Sequence, residues 1–198
     1  MLGLPKTTEL NKQLPKKAIY DKFEMNNKEK EHIDSDISKI YIVNELSPER
    51  THIKAGNEVK TIFVLLISLK TKKFDNKNII KISKLIPQNM LLVLQYEGEV
   101  KLAVYYTKLM QTEWAKIDDL KIELKGLDLD KVWDNLIKSV EGGDWIEELS
   151  LDENLALHEE REKLQKEISK LGKLIKKEKQ PKKKFELFQR LKELEGKL

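Results

Sequence analysis

Nucleases that hold a divalent metal place a carboxylate two residues before a lysine, as E-x-K or D-x-K, where a strand runs into a helix, because hard Mg²⁺ prefers anionic oxygen ligands. Residues 66–70, LISLK, offer Ser68 and Lys70 at that spacing, with serine where the carboxylate would stand. Glu58-Val59-Lys60 has the right letters at the beginning of the same strand, the wrong end for such a site, and Glu123-Leu124-Lys125 has them on a peripheral segment. The loop NELSPERTH gathers Asn44, Glu45, Ser47, Glu49, Arg50 and His52 at the end of another expected strand, where a rigid base presents side chains to ligands or simply makes a polar turn. Ser68, Lys70, Asn44 and Glu45 are thus the positions to inspect for chemistry, and none of them is assigned a catalytic role.

Other chemistries find less support. There is no cysteine, which removes disulfides, thiolate nucleophiles and sulfur-ligated zinc. His32, His52 and His158 share no ligand spacing, and neither glycine-rich phosphate-loop pattern occurs. No metal and no cofactor are expected. The one concentrated charge is KLIKKEKQPKKK, in which Lys173, Lys176, Lys177, Lys179, Lys182, Lys183 and Lys184 face Glu178 alone. Such a run suits either a solvated tip or salt-sensitive contacts with a polyanion such as nucleic acid. No aromatics interleave it to stack bases; Phe185 and Phe188 follow it and fit helix packing at least as well.

The elements that must position these residues begin with Glu58 to Lys70, EVKTIFVLLISLK, apolar on both faces and too short for a membrane span. It reads as a central strand covered on two sides. Ile37 to Leu46 alternates as a strand and ends at the Ser47-Pro48 turn signal. Asp75 caps a helix from about Asn76 to Ile86, with Phe74 and Ile79 as a hydrophobic staple and Pro87 as its stop. Met90 to Tyr96 and Glu99 to Tyr106 form two strands about a Glu97-Gly98 turn. Strand, helix, strand implies that 58–70 and 90–96 run parallel, with 99–106 antiparallel beside them. Residues 4–35 read as short helices and turns over the body, with Leu14, Ile19 and Phe23 inward; Leu120 to Leu124 reads as a further strand. Asp128 caps a helix whose stripe is Leu129, Val132, Trp133, Leu136, Ile137 and Val140, ended by Gly142-Gly143.

The last quarter changes character. Ser150-x-x-Glu153 is a capping box, and Leu157, Leu164, Ile168, Leu171 and Ile175 follow heptad spacings with Arg161 at one seam position. After Gln180-Pro181, Leu187, Leu191, Leu194 and Leu198 resume the spacing, so two helices either fold back on each other or pair with another chain. With one apolar stripe each, they need a partner surface. Residues 152–198 hold 14 Lys and Arg against 10 Asp and Glu, which is the whole net charge of +4; residues 1–151 balance at 24 each. The longest apolar run, Ile62 to Ile67, cannot span a bilayer, and the N-terminus lacks the apolar region of a secretion signal, so a cytoplasmic protein with no membrane contact is expected.

LPKTTELNKQLPKKAIYDKF, NELSP, the SLK strand, KLIPQNMLLVLQYEGEVKLAVY, QTEW and IELKGLDLDKVWDNL together resemble a bacterial family known as domain of unknown function 4391, over residues 4–140. The resemblance implies no reaction, cofactor or catalytic residue. It implies a genomic setting beside DNA methyltransferases and helicases of restriction-type systems, hence an accessory role in DNA modification or phage defence with those proteins as partners.

The expectation is an α/β (α+β) fold: a mixed β-sheet flanked by helices over residues 1–149, then a helical hairpin or coiled-coil arm over 150–198. The arm would bind a partner protein or make a homo-oligomer through Leu157, Leu164, Ile168, Leu171, Ile175, Leu187, Leu191 and Leu194, in a non-catalytic assembly subunit. The alternatives are a DNA-acting protein of degenerate PD-(D/E)XK-nuclease-like fold and a nucleic-acid binder using the basic tip.

Overall fold

The computed structural model describes residues 2–197, so Leu198 of the expected leucine spacing lies outside the described residues. The chain divides into two compact units, Met1–Gly142 and Gly143–Leu198.

The first unit is built on a seven-stranded mixed sheet. In chain order its elements are β1 (Glu9–Gln13), α1 (Lys16–Lys22), α2 (Asn27–Asp36), β2 (Ile37–Leu46), the short α3 (Pro48–Thr51), β3 (Ile62–Leu69), α4 (Asn76–Ser83), β4 (Asn89–Tyr96), β5 (Glu99–Tyr105), β6 (Leu109–Gln111), β7 (Ala115–Lys116) and α5 (Leu129–Glu141). The strands lie in the order β1-β2-β3-β4-β5-β6, with β7 also on β5. Only β3 and β4 are parallel, as the intervening α4 requires. Glu97 and Gly98, at φ 45° and 84°, make the tight hairpin between β4 and β5, the type I′ geometry that matches strand twist.

Period-two alternation sends Leu65, Ile67 and Leu69 of β3 and Met90, Leu92 and Leu94 of β4 to one face, where Ile19 of α1, Ile33 of α2 and Ile79 and Ile82 of α4 cover them. Leu14, Phe23 and the staple residue Phe74 pack against this core as partly buried members. The opposite face carries Ile62, Val64, Leu91, Val93, Leu102 and Val104, all buried, and α5 lays its buried stripe of Val132, Trp133, Leu136, Ile137 and Val140 on that side. β3 and β4 are therefore enclosed on both sides, which is why their sequences are apolar almost without interruption.

Four segments differ from the sequence expectation. The central strand begins at Ile62 rather than Glu58, because the backbone N–H groups of Asn57, Glu58 and Val59 point to the Asp130 carboxylate instead of to a neighbouring strand. Residues 4–35 contribute an edge strand, β1, as well as helices. Leu120 to Leu124 is not a strand: Ile122 is buried and its N–H reaches the Leu2 carbonyl at 2.9 Å, but the flanking residues have no ladder. α4 stops at Ser83, three residues before Ile86.

The second unit holds two helices, α6 (Leu151–Lys177) and α7 (Pro181–Glu195), joined by three residues and packed on one another. Ser150 and Glu153 form the expected capping box at the start of α6. Among the described residues no helix is long and apolar enough to cross a membrane.

Candidate functional site

The end of β3 does bring carboxylates near Lys70, but each is committed to contacts within or between the helices there. Asp36 is 6% exposed; its carbonyl accepts the Lys70 N–H at 2.8 Å, and its Oδ2 accepts the Asp75 N–H and the Asn78 side-chain amide, both at 2.8 Å. Asp34 is tied to Lys16 and, at 2.7 Å, to the Tyr20 hydroxyl. Burial opposes its charge, yet these two hydrogen bonds and the nearby Lys16 and Lys70 charges hold its carboxyl below the usual range, while Tyr20, desolvated beside a carboxylate, is pushed up. Asp75 caps α4 through the Lys77 N–H and meets His32 at 3.1 Å. Ser68 is half-buried between Lys39 and Gln95 in the sheet, and Lys70 is exposed. Among the described residues no group of three or more His, Asp or Glu side chains converges as a metal site. The other two x-x-Lys sequences are likewise occupied locally: Lys60 donates to the Gly56 carbonyl, and Glu123 pairs with Lys125 at 2.6 Å on the surface.

The NELSPERTH loop is spent on holding the N-terminal segment. Glu45 pairs with Arg50 at 3.1 Å, Arg50 Nη1 donates to the Thr7 carbonyl at 3.0 Å, and the Thr7 hydroxyl returns a 2.6 Å bond to the Arg50 carbonyl. Asn44, 6% exposed, donates to the Thr8 hydroxyl at 2.8 Å. Its position follows from a register shift between Ile42 and Asn44: Ile42 pairs with Leu65, whereas Asn44 pairs with Val64, so the bulge moves Asn44 to the α5 side of the sheet. β1 carries its own irregularity opposite, between Glu9 and Lys12, with Asn11 at φ 48°. Beside these two bulges lies a 320 Å³ cavity lined by Leu2, Leu4, Glu9, Asn11, Val43, Asn44 and Leu66. The polar spelling of ELNKQ conceals that strand and its bulge, so the cavity has no sequence signal beyond Asn44 itself.

In the helical pair, the eight seam residues are placed as follows. Leu171 is buried; Leu157, Leu164, Ile168, Ile175, Leu187, Leu191 and Leu194 are half-buried. Arg190 of α7 meets Glu167 of α6 at 2.8 Å, and the Glu159–Lys163 and Glu162–Lys166 pairs lie along α6 at 3.9 and 3.2 Å. Towards the loop the helices part around a 580 Å³ cleft lined by Leu174, Lys177, Glu178, Lys183, Glu186, Leu187 and Arg190. Leu174, Phe185 and Phe188 are 52%, 62% and 44% exposed, so the two phenylalanines are not absorbed by packing within the hairpin. They fall outside the Leu187-Leu191-Leu194 spacing, which was the available signal. Lys173, Lys176, Lys177, Lys179, Lys182, Lys183 and Lys184 are all exposed around the turn. At the other end of α6, the buried Asn154 side chain binds the backbone of Ile146, Leu149 and Ser150, and His158 Nε2–H donates to the Asp144 carbonyl, 2.9 Å away, while its ring packs in a T-shaped contact with Trp145.

No curated protein and no solved structure matches this chain. One family model does, and it runs from residue 2 to residue 198, taking in the helical pair as well as the sheet. The chain belongs to that family, described as Domain of unknown function (DUF4391).

Proposed function

We propose that this chain is a non-catalytic assembly subunit that docks a protein partner through the α6/α7 hairpin. The observation that carries this reading is the incomplete burial of the hairpin's own apolar residues. A packed two-helix seam would hide its leucines, yet only Leu171 of the eight is buried and three further large apolar side chains stand 44% to 62% exposed. Apolar surface concentrated in this way marks an interaction site more often than scattered exposed residues do. The carboxylates at the end of β3 are engaged in helix caps and contacts between helices, which leaves the enzymatic alternative of degenerate PD-(D/E)XK type without a convergent ligand set among the described residues.

The family resemblance supplies the setting: a cytoplasmic accessory role in DNA modification or phage defence, beside a methyltransferase or helicase component. In the full-length chain, L174D/F185D/F188D is expected to leave the helical content unchanged by circular dichroism. It should weaken association of the tagged chain with its partner by more than about tenfold, the loss of ~1.4 kcal/mol or more of binding free energy. Undiminished association of this variant would overturn the reading.

The basic tip favours a second reading, in which the exposed lysines contact nucleic acid. Neutralising all seven to glutamine should then flatten the salt dependence of binding to a DNA duplex, each phosphate contact contributing a slope of about 0.9 in log K against log salt. A slope unchanged by these substitutions would exclude the tip as the contact.

A further inference from the structure

The hairpin is electrically two-ended. Residues 143–163 carry Asp144, Glu147, Glu148, Asp152, Glu153, Glu159, Glu160 and Glu162 against Arg161 and Lys163, eight against two, net −6. Residues 173–184 carry seven lysines against Glu178, net +6. The helix dipole accounts for part of this: Asp152 and Glu153 in the first turn of α6 and Lys176 and Lys177 in its last turn sit where each sign is favourable. It does not account for the rest. Glu159, Glu160 and Glu162 lie two turns or more inside α6, beyond the reach of its terminus. Lys182, Lys183 and Lys184 occupy the first turn of α7, where the dipole repels them, with no acidic residue there and no side-chain cap from Gln180. Local stability therefore opposes this lysine cluster, the kind of inconsistency that a binding role resolves.

The two charged ends do not neutralise each other within one chain. About 23 residues of α6 separate their centres, which at 1.5 Å per residue is roughly 35 Å, several times the ~8 Å screening length at physiological ionic strength. α7, at about 22 Å, runs beside only part of α6, at about 40 Å, leaving the acidic first turns of α6 without an α7 neighbour.

We infer that the occupant of the exposed hairpin surface is a second copy of this chain, with the two hairpins side by side and antiparallel. This rests on the assembly reading above and gives its partner. In that arrangement the +6 end of each copy meets the −6 end of the other, twice, about a two-fold axis near Gln165, and the interface closes on itself as an isologous dimer. The partner's carboxylates face the lysines in the first turn of α7, where Glu178 on the Gln180 N–H is the local anion, and Leu174, Phe185 and Phe188 are carried over the side of the partner's α6 on which Ala156 is exposed. Nucleic acid would satisfy the lysines but would leave the acidic end without a counter-charge and the apolar residues in water, so the geometry favours the second copy.

The test uses the full-length chain and sedimentation equilibrium. The wild type is expected to dimerise, more weakly as salt rises. K182E/K183E/K184E and E159K/E160K/E162K should each raise the dimer dissociation constant by more than about tenfold, and mixing the two variants should restore a heterodimer to near wild-type affinity. Because the chain has no cysteine, introduced ones report orientation. K182C mixed with A156C, which is exposed on the Leu174 face of α6, should give the cross-chain disulfide, whereas K182C alone should not. A chain that stays monomeric throughout, reversal variants that dimerise unchanged, or a K182C self-disulfide overturns the proposal. So does a monomer that binds a DNA duplex through the lysines. None of these outcomes by itself overturns the assembly reading, which fails if L174D/F185D/F188D leaves association with the partner undiminished.

Discussion

Replacing Asp130 by alanine is expected to destabilise the first unit by about 2–3 kcal/mol, seen as a lower urea midpoint, although this residue touches no candidate site. Its carboxylate, in the first turn of α5, accepts the N–H groups of Val59 at 2.7 Å, Asn57 at 2.6 Å and Glu58 at 3.2 Å, from a segment 71 to 73 residues earlier. Hydrogen bonds to a charged acceptor contribute about 1.5–3 kcal/mol each when well formed, and partial exposure here brings the sum down. Gly56 explains why the turn can approach so closely: a Cβ at that position would lie 2.1 Å from Asp130 Oδ1 and 2.7 Å from the Asp130 backbone nitrogen. G56A should therefore cost a similar amount by expelling the carboxylate. The double variant D130A/G56A should cost clearly less than the two single losses added together, because one contact is being broken twice. The pH dependence has a definite sign. Hydrogen bonds from Val59, Asn57 and Glu58 hold the Asp130 carboxyl below its ordinary value. Its contribution is thus present above the unfolded carboxyl value near 3.9 and fades as pH falls through the lower folded value. The gap in stability between wild type and D130N should accordingly narrow below about pH 4. A gap that is constant with pH would show that the anion is not what the turn recognises.

The second large effect is expected at Asp36. It joins three elements at one end of the sheet: its own position at the end of α2, the Lys70 N–H after β3, and the Asp75 N–H and Asn78 amide at the start of α4. Asn78 is only 3% exposed, so D36A leaves its amide with the long 3.4 Å contact to the His32 carbonyl and deprives the part-buried Asp75 N–H of its acceptor. At about 1–3 kcal/mol for each unsatisfied group, the loss should be on the order of 3 kcal/mol or more, measured as a fall in thermal midpoint of roughly 10 °C. D36N keeps an oxygen in place and should cost distinctly less. If D36A and D36N behave alike, the charge rather than the hydrogen-bond geometry is what the site requires.

The architecture was legible wherever side-chain period reported burial. Leu129 to Val140 at helical spacing, the doubly apolar β3 and β4, the Ser150–Glu153 capping box and the Gly142-Gly143 stop all describe contacts made within a few residues or across an enclosed sheet. What escaped depends on partners distant in sequence. The start of β3 is decided by a carboxylate some 70 residues later. β1 is spelled ELNKQ with four of its five residues exposed, so nothing in its composition distinguishes it from a loop. LKIEL alternates like a strand and its burial alternates too, yet among the described residues only the Ile122 N–H finds a distant backbone partner, the Leu2 carbonyl, so no ladder forms. At the candidate site the leucine spacing marked the hairpin, whereas the exposure of Phe185 and Phe188 depends on how far the two helices part near the turn, which spacing alone does not encode.

The bulges of β1 and β2 bear on solubility as well as on shape. One rim of the sheet is a five-residue strand broken at Asn11, and the other is divided between the three-residue β6 and the two-residue β7. Neither rim offers a straight run of unpaired amides on which another chain's backbone can add, so fibril-like stacking through the sheet is blocked at both margins. Growth by strand addition is closed to this molecule, and concentrating it should yield discrete particles instead of filaments.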